Sequence, residues 1–401
     1  MAFSAQVYYF IVFYFVYYGV ILYFSNSQPE KLFILKFFSN YLLAYYLVYF
    51  ISFFFLDLAT TDYGIESSMP IFVWQPQITT VGITLCLLTS YVYSILIQYY
   101  DSTLPNFDIY SFFIIVSEVA ILMCFITNNF FIFYICFEFV LVPFYFIVGF
   151  WGSRINRLGA AFRLVFFTVF FSSPLMVVIF MNLVNQNFSF DFSMLGSTMI
   201  TLSPEFQSFF YLACFAAFAV KIPLFPMHVW LPEAHGEAPT FGSILLAGLL
   251  LKLGGYGFFR LFCDPFSSFA SEFSTSLFPI VYTISVITIL YSNLVVFTQS
   301  DVKKIIAYYS IGHIGFVTLG LIAGNEEGIL GAVIIILSHG LSASALFFCI
   351  GYLYEQTHTR SLLAYRGLAT VAPVFSVVFF FSFVQMPASP DRLILLANSW
   401  Y

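Results

Sequence analysis

Polar side chains are sparse along this chain and come in bunches, and the stretches between the bunches are apolar on every face. A membrane-crossing helix needs roughly 20 apolar residues. Runs of that kind fall near 5–24, 41–57, 72–99, 110–127, 129–151, 159–183, 206–231, 240–262, 276–298, 302–323, 328–354 and 367–386. Within each run the apolar character is continuous and does not alternate with period two, which predicts helices rather than the strands of a barrel. The pattern therefore predicts an all-α polytopic membrane protein of about 12 transmembrane helices. The longest connection, 184–205, is no longer than a span, so no soluble domain is expected.

Composition points the same way. Hydrophobic residues make up 61% of the 401 residues and charged ones only 8%, too few to cover a water-exposed surface. Cys86, Cys124, Cys136, Cys214, Cys263 and Cys349 all lie in or at the ends of apolar runs, with no CxxC pair and no metal-ligand spacing. They read as small buried hydrophobes, and no glycine-rich phosphate loop or dinucleotide fingerprint accompanies them. No redox cofactor, metal or nucleic-acid partner is expected for this chain. No arginine-rich, acid-poor presequence opens the sequence, and 57 Phe with 28 Tyr suit a chain made inside an organelle from an AT-rich genome.

Charge sorts by connection. After odd-numbered runs come Lys31, Lys36, Arg154, Arg157, Arg163, Lys303, Lys304, Arg360 and Arg366. After even-numbered runs come Asp57, Asp62, Glu66, Asp191, Glu205, Asp264, Glu272, Glu326 and Glu327, with Arg260 the one basic exception. Lys and Arg stay on the cytoplasmic or matrix side, so the odd connections are placed there and the N-terminus opposite. A missed helix would scramble this segregation.

Two segments resemble each other. AVKIPLFP at 219–226 and FVQMPASP at 383–390 share a polar residue, Lys221 or Gln385, followed by Pro two and five positions later. Five spans separate them, so they enter the membrane from opposite sides, the arrangement of inverted repeats with broken helices. Pro223 and Pro226 donate no backbone hydrogen bonds and disturb the preceding turn, which predicts an interruption between Lys221 and Pro226. Carbonyls freed there need protein or water, and Lys221 is a candidate donor to them.

Ionisable groups at mid-span cost roughly 3 kcal/mol or more, so those that persist usually face a bundle interior or a wet path. Glu118, Glu138, Lys221 and Lys252 lie inside runs, as do His313 and His339. Alternating acids and bases suit a proton relay, in which a carboxylate near Lys221 changes its affinity for a proton. Two alternatives stand beside this reading. Glu138 and Lys221 form a static pair that fixes packing, and the histidines make interhelical hydrogen bonds. Glu118 is expected to reach a polar partner on the next helix. His228 falls two turns beyond Lys221, on the same face if the helix resumes regularly.

The stretch VKIPLFPMHVWLPEAHGEAPTFGSILLAGLLLKLGGYGFFRL, 220–261, closely resembles the signature of the antiporter-like subunit 4 family of respiratory NADH:ubiquinone oxidoreductase, complex I. FYICFEFVLVPFYFIVGFWG, SDVKKIIAYYSIGHIGFV and HGLSASALFF resemble the fifth, tenth and eleventh helices of that family, and the likeness covers roughly 110–390. The resemblance implies a proton-translocating subunit in the inner mitochondrial membrane. Its N-terminal spans would occupy 1–108, a first five-helix repeat 109–262 and a second, incomplete repeat 276–401. Glu138 would pair with Lys221, Lys252 would be the central lysine of a transverse path, and Glu118, His228, His313 and His339 would support it. NADH, FMN, iron–sulfur and ubiquinone chemistry would belong to other subunits. Its partners would be other membrane-arm subunits, including neighbouring antiporter-like ones, and membrane lipids with cardiolipin among them. Family members continue past the second break with a charged residue and two more spans, whereas DRLILLANSWY follows here and neither Asp391 nor Arg392 matches clearly. That implies either helices supplied by another polypeptide or a departure from the usual path. A cation/proton antiporter subunit, a membrane-bound hydrogenase subunit and a structural spacer are the rival readings.

Overall fold

The computed structural model describes residues 28–55, 79–99, 106–184, 190–192, 195, 203–263 and 272–385. The elements are α1 (Gln28–Phe55), α2 (Thr80–Tyr99), α3 (Phe107–Ile126), α4 (Phe130–Phe139), α5 (Leu141–Trp151), α6 (Arg157–Val184) and α7 (Pro204–Lys221). They continue with α8 (Trp230–Glu237), α9 (Thr240–Leu245), α10 (Leu251–Phe258), α11 (Glu272–Val296), α12 (Val302–Ile322), α13 (Glu326–Thr357), α14 (Leu368–Val371) and α15 (Pro373–Gln385). Two π turns, Leu246–Leu250 and Phe259–Cys263, flank α10, so 240–263 runs as one irregular rod.

Among the described residues nine helices are long and apolar enough to cross a membrane. The twelve expected runs are accounted for as follows. The run 5–24 lies outside the described residues. The run 206–231 is interrupted after Lys221, and the run 367–386 belongs to a pair bent by 120° where α14 meets α15. Another difference concerns Lys31 and Lys36, expected in a connection and found inside α1. A charged residue ends a hydropathy window without ending a helix, and Lys31 meets Asp108 at 3.0 Å. Residues 385–390 and the charges Asp391 and Arg392 lie outside the residues whose side chains are described.

Contacts between connections test the charge-based topology. Arg154 pairs with Asp301 at 2.7 Å. Ser153 N donates to Glu237 O at 3.0 Å, and Arg360 donates to Gly236 O and to Ser153 Oγ, each at 2.6 Å. These four segments follow expected runs five, seven, nine and eleven. On the other face, Phe130 N donates to Phe190 O, Phe192 N to Asn128 O, and Arg260 Nη2 to Asn128 Oδ1. Those segments follow runs four, six and eight. Odd meets odd and even meets even, so the basic connections share one face.

The core is aromatic and continuous. Phe130, Phe133, Phe137 and Phe218 pack with Tyr256 and Phe125 where α3, α4, α7 and α10 meet. Phe and Tyr bring large area with few rotatable bonds, and their edge-to-face contacts fix ring orientation. Many large apolar side chains elsewhere point outward, such as Phe33, Phe162, Phe170 and Leu294, as expected where lipid is the solvent.

Candidate proton-relay site

The helix carrying Lys221 ends at Lys221 itself, and regular helix resumes only at Trp230. The two prolines explain where: neither Pro223 nor Pro226 can donate to the turn before it. The carbonyls released by the break are taken up within the protein. Val220 O accepts from Trp230 Nε1 at 2.9 Å, and Ala219 O accepts from Leu224 N at 2.9 Å. Lys221 therefore does not serve its own break, contrary to the sequence-based expectation. Its Nζ donates instead to Phe137 O and sits 3.4 Å from the centroid of the Phe137 ring. Phe137 lies in the last turn of α4, which stops at Val140, ahead of Pro143, and the final carbonyls of a helix have no partner within it.

Glu138 follows Phe137 directly. Both of its carboxylate oxygens are buried and lack a hydrogen bond of normal geometry, with Lys221 acting on them as a charge and the Ser172 hydroxyl placed to act as a donor. The Lys221 ammonium is held by the carbonyl of Phe137, the residue before Glu138, so the two side chains share one site. Carboxylates whose oxygens are unsatisfied at this depth call for a functional reason.

Lys252 reaches its surroundings through a wide turn. The π turn 246–250 puts one surplus residue into the helix, and Lys252 Nζ donates to Ala247 O inside it. The same Nζ lies 2.7 Å from His339 Nδ1 of α13. His339 is buried, its Nε2 has no hydrogen-bond partner, and the ring of His313 from α12 stands 6.2 Å away between centroids. Tyr309 packs edge-on to His313 at 4.4 Å. Three residues from three helices, Lys252, His339 and His313, thus form one file.

Gly254 lets the rod carrying Lys252 pack onto the break that follows Lys221. A Cβ on Gly254 would stand 2.9 Å from Ile222 N and 3.1 Å from the Lys221 carbonyl carbon, too near to backbone that cannot yield. Glu118 is fully buried on α3. Tyr46 of α1 and Tyr93 of α2, both on preceding helices, are among the polar groups in its surroundings. His228 stands apart. The helix does not resume before Trp230, so the premise for a shared face with Lys221 fails, and His228 sits among Phe225, Tyr291 and Tyr308.

Sequence reasoning missed two groups. His235, inside the quoted VWLPEAHGE, is fully buried, and Lys303, counted as a loop charge, is fully buried at the start of α12. The available signal was Asp301, a helix-capping residue type, which starts the helix early enough to include Lys303. Among the described residues no group of three His, Cys, Asp or Glu side chains is arranged to hold a metal ion.

Comparison with known proteins follows the same lines. The family model for the NADH:quinone oxidoreductase/Mrp antiporter transmembrane region matches residues 127–399. NADH-ubiquinone oxidoreductase chain 4 of Chondrus crispus is 42% identical over 325 residues, covering 79% of this chain and 65% of that relative. Against the curated relatives it matches, the chain spans about half to two thirds of their length. A chain of respiratory complex I from Thermus thermophilus with bound NADH superposes with TM-score 0.73 at 22% identity, over 97% of this chain and 84% of that one. A chain of the Mrp complex from a Dietzia species gives 0.81 at 17% identity, over 95% and 70%. These structural likenesses carry the fold, and the family follows from the sequence match. The chain belongs to the NADH:quinone oxidoreductase/Mrp antiporter transmembrane family.

Proposed function

We propose that this chain translocates protons as an antiporter-like subunit of the membrane arm of NADH:ubiquinone oxidoreductase, in the inner mitochondrial membrane. The observation that carries the proposal is the file Lys252–His339–His313, three titratable groups from three helices meeting inside a bundle with an Nζ–Nδ1 separation of 2.7 Å. The names of relatives such as chain 4 of Chondrus crispus support the placement in that enzyme. In this reading NADH, FMN, iron–sulfur clusters and ubiquinone are handled by other subunits. This chain takes part in the enzyme as a translocating subunit, beside other membrane-arm subunits and lipids including cardiolipin.

The chemistry follows from the atoms. When Lys252 is an ammonium, a neutral His339 accepts its proton at Nδ1 across one hydrogen bond, leaving an amine and an imidazolium. An imidazole takes a proton on one nitrogen and releases one from the other, and a gap of the kind separating His339 from His313 is within reach of one bridging water. On the other side, Lys221 keeps its ammonium against Phe137 O while the charge of Glu138 varies beside it. Proton movement between Glu138 and its surroundings changes the field at Lys221, and the contact at Gly254 packs the rod of Lys252 onto the break after Lys221. The first five-helix segment, 109–262, carries Glu118, Glu138, Lys221 and Lys252, and the following helices supply the histidines.

The test is the proton-to-electron ratio of the native assembly in sealed membranes. Lys252→Met, Lys221→Ala and Glu138→Gln should each lower that ratio while assembly and electron transfer to quinone persist. A normal ratio in any of the three removes that residue from the relay.

A further inference from the structure

A cavity of about 380 Å³ opens on the side of the bundle between α2, α9, α13 and α15, outside the relay just described. Tyr91, Ile95, Leu341 and Val378 form its mouth, 39–50% exposed and continuous with the outward apolar surface. Leu96 and Ile244 are buried at its back. Two serines line it, and both hydroxyls turn back onto α13. Ser342 Oγ donates to Ser338 O at 2.9 Å, and Ser344 Oγ donates to Gly340 O at 2.7 Å. A buried water needs two to four polar partners, which such a lining does not offer. Lining atoms that face a void forfeit dispersion contacts on that side, so a cavity open to hydrocarbon is filled by it. Its size lies at the lower end of ligand pockets, roughly 300–1,000 Å³, and suits one flexible apolar chain.

The cavity leads toward the basic face. Tyr91, Ile95 and Tyr99 fall at i, i+4 and i+8 on one side of α2. Tyr99 packs edge-on at 4.7 Å against Phe348, which also lines the cavity. Helix α2 ends at Tyr99, after expected run three, and α13 ends at Thr357, after run eleven, so both ends lie on the side of the basic connections. There Tyr99 Oη donates to Glu355 Oε2 at 3.0 Å, and Gln98 Nε2 donates to Asn40 Oδ1 at 2.8 Å. Lys36 lies one turn from Asn40 on the same side of α1, nearer that face. Among the described residues Lys36 makes no ion pair.

We propose that this cavity holds one acyl chain of an anionic phospholipid from the leaflet on the basic side, with its phosphate at Lys36 and Gln98. Hydrocarbon is what meets the mouth of a cavity on a lipid-facing surface. An anionic headgroup supplies the counter-charge that Lys36 lacks, and Gln98 adds an amide donor. The chain lies close to the Lys252–His339 contact. A Cβ on Gly248 would meet Ser344 Oγ at 2.5 Å, and one on Gly340 would stand 3.3 Å from Gly248 O and from Lys252 Cε. One helix contact thus separates the cavity from the lysine. In the proton-translocating reading the bound chain keeps water away from that contact on the membrane side, but binding of the lipid itself does not depend on that reading.

The experiment places the native assembly in phosphatidylcholine vesicles containing phosphatidylglycerol with a photoreactive diazirine midway along one chain. After irradiation, mass spectrometry of the digested chain locates the adducts. They are expected on Tyr91–Leu96 and Leu341–Cys349 and should saturate with probe, whereas outward side chains such as Phe162 label in proportion to it. Ala345→Trp, which fills the cavity, should lose the saturable adducts and leave labelling of Phe162 unchanged. Lys36→Gln should lower them about fivefold, the worth of one basic residue at an anionic lipid surface. Absence of saturable adducts in the native assembly, as when a neighbouring polypeptide covers the mouth, would overturn the site. Adducts that persist in Ala345→Trp would overturn it as well. Equal labelling by a phosphatidylcholine probe, or no effect of Lys36→Gln, would overturn the anionic headgroup. If Ala345→Trp fails to assemble, Val378→Trp at the exposed mouth decides by the same criterion. All of these readings are independent of whether the assembly moves protons.

Discussion

Lys221 and Lys252 are buried lysines in adjoining rods, and each donates to a backbone carbonyl made available by an irregular helix. They differ in how that irregularity is made. At Lys221 two prolines end the helix, and the carbonyl comes from a different broken helix, α4. At Lys252 the helix continues through a wide turn, and the carbonyl belongs to Ala247 of the same rod. A broken helix exposes its last carbonyls to a neighbour, so Lys221 joins two segments. A wide turn keeps the rod continuous, so Lys252 stays free to face α13 and touch His339. One site reads as a junction and the other as a transfer point.

Breaking the transfer point should have the largest effect. His339→Gln removes the ring nitrogen 2.7 Å from Lys252 Nζ and is expected to abolish the share of proton translocation that Lys252→Met abolishes, with assembly intact. Unequal losses, measured as protons per electron, would separate the two residues. Next is the contact that joins the sites. Gly254→Ala forces a Cβ against Ile222 N and the Lys221 carbonyl carbon, and overpacking of this kind should cost about 1–3 kcal/mol. Thermal unfolding of the assembly in detergent would register it, together with a lowered proton ratio. Gly340→Ala tests the other side more gently. Its Cβ would meet a Leu88 methyl carbon at 2.6 Å, which can move, and Gly248 O and Lys252 Cε at 3.3 Å each, which need give only slightly, so a loss of about 1 kcal/mol is expected. Arg154→Ala, which breaks a partly exposed ion pair with Asp301, should cost only ~0.2–1 kcal/mol on the same assay. Finally, cysteines placed at Ile155 and Glu326 should label from opposite faces of sealed membranes without changing activity. Labelling from one face would undo the helix count that places the two lysines in one bundle.

Much of the bundle could be read from the chain. Continuous apolar runs gave the helices, and loop charges gave their directions, because both depend only on the transfer of side chains between water and lipid. The break after Lys221 was legible too, since proline acts on the turn next to it. The partner of Lys221 was not, because a carbonyl of Phe137 leaves no mark in a list of side chains. Nor was the wide turn at 246–250, whose residues Leu, Ala, Gly, Leu and Leu read as ordinary helix. Lys303 was misplaced for a related reason. Two adjacent lysines look alike in sequence, and only packing against Ala238 and Ser243 buries the first of them.

The junction at Lys221 has an electrostatic meaning of its own. Aligned peptide dipoles give the C-terminal end of a helix the equivalent of about half a negative charge. Lys221 is the last residue of α7, and its Nζ takes a backbone carbonyl from the last turn of α4. Both belong to the backbone and do not titrate, so this part of the ammonium's compensation is the same whether Glu138 is ionised or not. Glu138→Gln should leave the contact with Phe137 O and the abundance of the assembly as before, while Lys221→Ala, which leaves that carbonyl without its ammonium, should still assemble but unfold at a lower temperature.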